Sequence, residues 1–141
     1  MVAMLIDTNV ISELRKVSSG RAAPEIIHWE TTVSAPQLML SVITLQEIEV
    51  GILRLARTDP PQASILRRWL QNHLLVEFRH RILPVTTDIA LRAAVLLIDG
   101  DRSCEDALIA ATAYVHNMPV VTRNVAHFKG AGVHIINPWQ L

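Results

Sequence analysis

The stretch Met4-Leu5-Ile6-Asp7-Thr8-Asn9 constrains the fold most tightly. Three apolar residues run directly into a carboxylate and two small polar residues. A short uninterrupted apolar run suits a strand buried on both faces, as in a parallel sheet. Asp7 then stands at the carboxyl end of that strand, the edge at which open α/β sheets bind their ligands. A carboxylate there is a candidate for holding a cation. The same residues also read as a helix start, because Asp, Thr and Asn are favoured N-caps and the segment 10–15 is a helix they would cap.

The rest of the chain alternates between short apolar runs and amphipathic stretches. Strands are expected at Met4–Ile6, 38–43, 82–85, 120–122 and 133–136. Helices are expected at 9–16, 24–33, 44–58, 63–79, 87–99 and 103–117. Pro24 suits a first helical turn. Ser18-Ser19-Gly20, Ala35-Pro36 and Asp59-Pro60-Pro61 break the chain, Gly100 closes a helix, and Pro119 lies beyond another. Strands separated by helices need crossover connections, hence a mostly parallel sheet covered on both faces. The expected fold is a three-layer α/β/α domain with five central strands.

Length and composition narrow the class. The 141 residues fit a single domain, residues 1–141, and a chain of that size buries roughly 68–70% of its unfolded surface. Lys plus Arg and Asp plus Glu number 13 each, so no whole-molecule field attracts nucleic acid and any such contact is local. The single Cys104 excludes an internal disulfide and suits a reducing compartment. No basic segment precedes an apolar core at the N-terminus, and no apolar run approaches the ~18 residues of a membrane span. A soluble cytoplasmic location is expected, with no membrane partner.

Two further acids join Asp7. Glu47 follows the second strand, and Asp106 lies in the first turn of the helix at 103–117. That helix should run antiparallel to the strand after it, which sets its N-terminus over the carboxyl edge of the sheet. Asp7, Glu47 and Asp106 therefore converge on one edge from three segments. Like charges about 4 Å apart repel by roughly 4 kcal/mol at an effective dielectric of 20, so such a cluster calls for a counter-cation. Oxygen donors without Cys or paired His point to Mg2+ or Mn2+. Capping is the other reading: Thr44-Leu45-Gln46-Glu47 has the capping-box form, Ser103-Cys104-Glu105-Asp106 nearly so, and acids suit a first turn. The segment Ala107–Ala113 is apolar nearly all round and rich in small residues, so it must be closely buried. Gly51, on the face of Thr44 and Glu47, suggests that another segment passes near.

Other features carry two readings each. Residues 52–82 hold six Arg against Asp59 and Glu77, either a solvated helix face or a phosphate-contacting patch. Trp29, with Ile26, Ile27 and Val33, forms an apolar face that serves the core or a partner. The six His form no pair at metal spacing and read as surface or core. Cys104 has no evident base, and neither nucleotide-binding glycine fingerprint is present. An aspartyl-nucleophile phosphatase would want an acid where Asn9 stands.

These residues resemble the PIN-domain family. The matching pieces are Met4–Asn9 with Val10-Ile11-Ser12-Glu13, Ser41-Val42-Ile43-Thr44 with Glu47 and Gly51, Asp106–Ala113, and Val121-Thr122-Arg123-Asn124. The ending Asn137-Pro138-Trp139 resembles the FitB-like branch beside the VapC toxins. The resemblance implies an Mg2+- or Mn2+-dependent endoribonuclease, the toxin of a type II toxin–antitoxin pair. By it Asp7, Glu47 and Asp106 are the catalytic, metal-binding acids, with Thr8 and Asn124 as supporting polar residues. It also implies a homodimer, a small antitoxin with a DNA-binding part, an RNA substrate, and operator DNA reached through the antitoxin; the Trp29 face would serve the antitoxin. The chain departs from the family at the fourth acid, where Asn124 and His127 stand. The departure implies one firmly held metal ion. It also keeps open a PIN-fold binding module that works with its antitoxin on operator DNA.

Overall fold

The computed structural model describes residues 2–141. Five strands form one sheet: β1 (Met4–Ile6), β2 (Leu38–Ser41), β3 (Ile82–Leu83), β4 (Val120–Val121) and β5 (Ile135–Ile136). Their order is β3-β2-β1-β4-β5, and every pairing is parallel. Helices α1 (Thr8–Leu14), α2 (Pro24–Glu30), α3 (Val42–Ala56), α4 (Pro60–Trp69) and α5 (Leu75–Glu77) cover one face. Helices α6 (Thr87–Asp99), α7 (Cys104–Val115) and α8 (Val125–Phe128) cover the other.

The strands show why the apolar runs are continuous. Met4 and Ile6 pack with Val10, Trp29, Leu40 and Val121 on the first face, while Leu5 packs with Ile89, Ala110, Val120 and Phe128 on the second. Successive side chains point to opposite faces of a strand, and both faces here are dry. Helix α7 lies closely over the second face, with Ala107, Ala110, Ala111 and Ala113 fully buried as expected of its small residues.

Several boundaries differ from those the sequence suggests, each for a local reason. Helix α1 starts one residue early, at Thr8, because Asp7 is its N-cap and accepts from Thr8 N at 2.8 Å. Helix α3 starts at Val42 because Ser41, the last residue of β2, caps it through Ile43 N at 3.0 Å. Thr44 is thus no N-cap: it is fully buried and its hydroxyl has no partner. Asp59-Pro60-Pro61 opens α4 as well as ending α3, with Asp59 accepting from Gln62 N and proline in the first turn. The single rod expected at 63–79 is interrupted by a π-turn at Leu70–Leu74. Leu70, Leu74 and Phe78 are all buried, and four-residue spacing drifts around a 3.6-residue helix; the wider turn holds them on one face. Pro84, which has no N–H to donate, ends β3 after two residues.

One expectation about packing is overturned, at Gly51, and at Trp29 the core reading holds over the partner reading. Gly51 faces open space, with nothing within 4 Å of where a Cβ would stand. Trp29 is 3% exposed within the core, so its indole offers no surface to a partner. Of the Arg-rich segment, Arg67 is paired with Glu49, and Arg81 donates to the carbonyls of Ala35 and Leu38, which leaves Arg54, Arg57, Arg68 and Arg79 exposed. No helix among the described residues is long and apolar enough to cross a membrane.

Candidate active site

The chain steps from β1 to β2 on one side of the sheet and reaches β4 on the other, so the strand order reverses beside β1. At the carboxyl edge of this switch point, where such sheets bind ligands, lies a cleft of about 380 Å³. Asp7, Thr8, Asn9 and Ser12 line it from the β1 end and α1, and Glu47 from α3. Ser103 and Asp106 line it from the start of α7, and Asn124 and His127 from the segment after β4. The three expected acids and both supporting residues therefore share one cleft.

Asp7 is 4% exposed, and its carboxylate is almost completely dressed. Oδ1 accepts from Thr8 N at 2.8 Å; Oδ2 accepts from the Thr122 hydroxyl at 2.8 Å and Asn9 Nδ2 at 3.0 Å. Burial raises its pKa. The bonds from Thr122, Thr8 and Asn9 pull the other way, and the charge of Asp106 adds to the rise. Thr122 is fully buried just past β4 and also accepts from Asn124 N at 3.0 Å. It was not singled out from the sequence. The signal was present, because Val120-Val121-Thr122 repeats the pattern of an apolar strand ending in a polar residue.

Glu47 is half-buried in the second turn of α3, and its Oε1 accepts the Thr8 hydroxyl at 2.6 Å. The capping-box reading fails with Thr44, so this carboxylate reaches across to α1 instead of to its own helix start. Its pKa is raised by burial first and then by the charges of Asp7, Asp106 and Glu105, against the bond from Thr8. Asp106 does belong to a capped first turn, its N–H donating to Ser103 Oγ at 3.1 Å. Its side chain is 18% exposed, and Oδ2 lies 3.0 Å from His127 Nδ1. His127, read from sequence as surface or core, is therefore in contact with a cleft acid. The short helix α8 that carries it was not expected from the sequence.

Three carboxylates line the cleft, and no Lys or Arg does. The donor set fits a hard divalent cation: carboxylate oxygens, no thiolate, and two acids, Asp7 and Glu47, whose pKa values are raised first by burial and also by the charge of neighbouring carboxylates. As the side chains stand, no group of three His, Cys, Asp or Glu among the described residues is arranged to hold an ion. Each carboxylate is turned to a neighbouring donor, so sharing an ion requires them to draw together.

Comparison with known proteins shows the family. The PIN domain family model matches residues 4–132. The chain is 34% identical to the VapC ribonuclease Y4jK of Sinorhizobium fredii, across 97% of this chain and 98% of the relative. It is 32% identical to the toxin FitB of Neisseria gonorrhoeae, across 97% and 99%. The structure of FitAB bound to an IR36 DNA fragment superposes with a TM-score of 0.83 at 30% identity, covering 98% of this chain and 96% of that one. Family model and likeness over nearly the whole length agree: the chain belongs to the PIN-domain family and is similar to its VapC and FitB members.

Proposed function

We propose that this protein is a divalent-metal-dependent endoribonuclease, a single PIN domain acting as the toxin of a type II toxin–antitoxin pair. The observation that carries the reading is the cleft itself: three carboxylates converge at a topological switch point without a neighbouring Lys or Arg. Likeness to a VapC ribonuclease supports RNA as substrate, and likeness to the toxin FitB supports the toxin role. Asp7, Glu47 and Asp106 would hold the ion, Mg2+ or Mn2+. When bound, such an ion stabilises charge on the phosphodiester and lowers the pKa of an attacking water. The chain's own part is positioning. Thr8 holds two acids at once, Asp7 through its N–H and Glu47 through its hydroxyl. Thr122 and Asn9 fix Asp7, and Asn124 lines the cleft with an amide able to bond a phosphate oxygen.

The antitoxin needs a surface other than Trp29. A groove of about 540 Å³ lies between α1 and the π-turn, lined by Leu14, Val17, Val33, Trp69, Val76 and Phe78, with Arg15 and Glu30 at hand. A mostly apolar groove that also carries Arg15, Glu30, Glu77 and Arg81 suits a short segment of a small partner, and likeness to FitAB bound to a DNA fragment supports operator DNA as a target reached through that partner. A homodimer is supported by Leu91, Val95 and Ile98, which are 65%, 46% and 86% exposed in one stripe of α6. An isologous contact needs such a self-complementary patch.

The experiment is cleavage of single-stranded RNA by the purified protein with Mg2+ or Mn2+. Activity should vanish with EDTA and with Asp7→Asn, which retains the side chain's shape and capping oxygen. Cleavage that persists under either treatment overturns the metal assignment. Failure to cleave under any condition, with operator DNA still bound by the complex, would favour the binding-module reading that Asn124 and His127 keep open. Light scattering on Ile98→Asp beside the native chain tests the dimer.

A further inference from the structure

Two of the three carboxylates of the cleft are tied down by hydrogen bonds from neutral groups, and the third is met by an imidazole. Thr8, Thr122 and Asn9 serve Asp7, and the Thr8 hydroxyl serves Glu47. For Asp106 the corresponding contact comes from His127, with Nδ1 3.0 Å from Oδ2. An ionised carboxylate only accepts, so a contact this short is favourable when Nδ1 is the ring nitrogen that carries the proton. The only side-chain contact of Asp106 is at Oδ2, which leaves its Oδ1 and the Oε2 of Glu47 unengaged among the described residues.

We propose that His127 is a positioning residue of this site, whose Nδ1–H fixes the Asp106 carboxylate at Oδ2 and leaves Oδ1 for the divalent cation. This role rests on the divalent-cation reading of the cleft. It also gives the departure from the family pattern a physical sense. An acid at 127 would set a fourth negative charge against Asp106, whereas an imidazole N–H supplies the one donor that Asp106 otherwise lacks.

A lone contact between two partly exposed side chains usually contributes little, because ordering both costs entropy. The mount of His127 is what removes much of that cost. Phe128, the next residue, is fully buried in the second core. Arg102 grips three carbonyls around it: Nε donates to His127 O at 3.2 Å, Nη2 to Lys129 O at 2.7 Å, and Nη1 to Leu96 O at 3.0 Å. Gly100 gives that guanidinium its room, since a Cβ there would lie 2.7 Å from Nη1. On the other side of α8, Asn124 N donates to the Thr122 hydroxyl, which itself donates to Asp7. The backbone carrying the imidazole is thereby tied both to the core and to the carboxylate at the end of β1. Asp106 has its main chain fixed by the Ser103 cap, but its carboxylate has only His127 to set its rotation.

The test is titration calorimetry of Mn2+ and Mg2+ into the purified chain and three variants, with thermal melting as a check on folding. His127→Asn keeps an N–H donor close to where Nδ1 stands, and His127→Ala removes it. His127→Ala should weaken cation binding roughly 10–100-fold, the range found when a partner that orients a metal ligand is removed. His127→Asn should stay within about threefold of the native chain by that same reasoning. A purely structural role would not separate Ala from Asn at equal melting temperature. Native-like binding by His127→Ala overturns the role, and so does a loss in His127→Asn as deep as in His127→Ala. If instead the native chain binds no cation, or Asp7→Asn binds it equally well, the divalent-cation reading itself fails and His127 falls with it.

Discussion

The cleft is built from two regions of opposite character. At the strand end, Asp7 is buried and accepts three hydrogen bonds, and its donors Thr122 and Asn9 are themselves bonded to neighbouring backbone or side chains. At the rim, Asp106 is partly exposed and its carboxylate meets one donor, a half-exposed histidine. The strand end is set by the fold: parallel pairing fixes β1 beside β4, and that pairing alone brings Asp7 to Thr122. The rim is set by side chains on two short helical starts. A change at the strand end should therefore disturb stability and chemistry together, whereas a change at the rim should touch chemistry with little cost to the fold.

The largest effect separating the two regions is expected at Asp7. Asp7→Asn removes a charge from the most tightly held position and should lower RNA cleavage by at least about 100-fold, several kcal/mol of barrier. The chain should still fold, because Asn caps α1 nearly as well as Asp, but it should melt lower, because an amide nitrogen cannot accept the bonds from Thr122 and Asn9. A single-turnover assay beside a melting curve checks both halves of that expectation.

Thr122→Val comes next and addresses the strand end without touching a charge. It strips Asp7 of a hydroxyl donor and leaves Asn124 N without an acceptor. Loss of a buried hydrogen-bonding group costs about 1–3 kcal/mol, to be read from denaturant midpoints. Ser103→Ala is the matching change at the rim. It removes the cap on α7, about 1 kcal/mol, and should leave Asp7 undisturbed. If Ser103→Ala proves the costlier of the two, the contrast between a fold-set strand end and a side-chain-set rim is wrong.

The strand end was also the more legible part in the sequence. Apolar runs ending in polar residues gave five strands, their parallel pairing and the edge at which the cleft lies, because burial on both faces leaves a strong compositional mark. Glu47 and Asp106 could be placed at that edge but not assigned a partner. The capping box hid Glu47, since Thr44-x-x-Glu47 satisfies the pattern while Ser41, one step before α3, is the actual cap. His127 escaped because its contact joins residues 21 apart through a four-residue helix held by Arg102, and nothing in local periodicity marks such a mount. For Trp29 the sequence offered core or partner, and the structure buries it in the core; an amphipathic stripe looks the same whichever covers it.

The smallest expected effect concerns pH, and it joins the two regions through Glu47. Asp7 and Glu47 both have pKa values raised from their ordinary 3.8 and 4.5, chiefly by burial. Each then binds its proton more tightly folded than unfolded. Above those ordinary values the folded state holds more protons than the unfolded chain, so stability falls as pH rises through the folded pKa values. Without a divalent cation, the protein should melt at a higher temperature in mild acid than these two groups allow at neutral pH. Other groups act in the opposite sense: Glu13 has a pKa lowered by its bond from Ala23 N, and Glu49 by Arg67. A difference between variants isolates the cleft better than the native curve does. Glu47→Gln keeps an oxygen for the Thr8 hydroxyl and removes the charge. It should lose less stability between mild acid and neutral pH than the native chain, and the gap between the two curves should close in mild acid. Added Mn2+ should reverse the order at neutral pH, because the native site then gains an ion that the variant holds poorly. Parallel curves for the two proteins across that range would mean that Glu47 carries no burdened charge, and the rim would extend to α3.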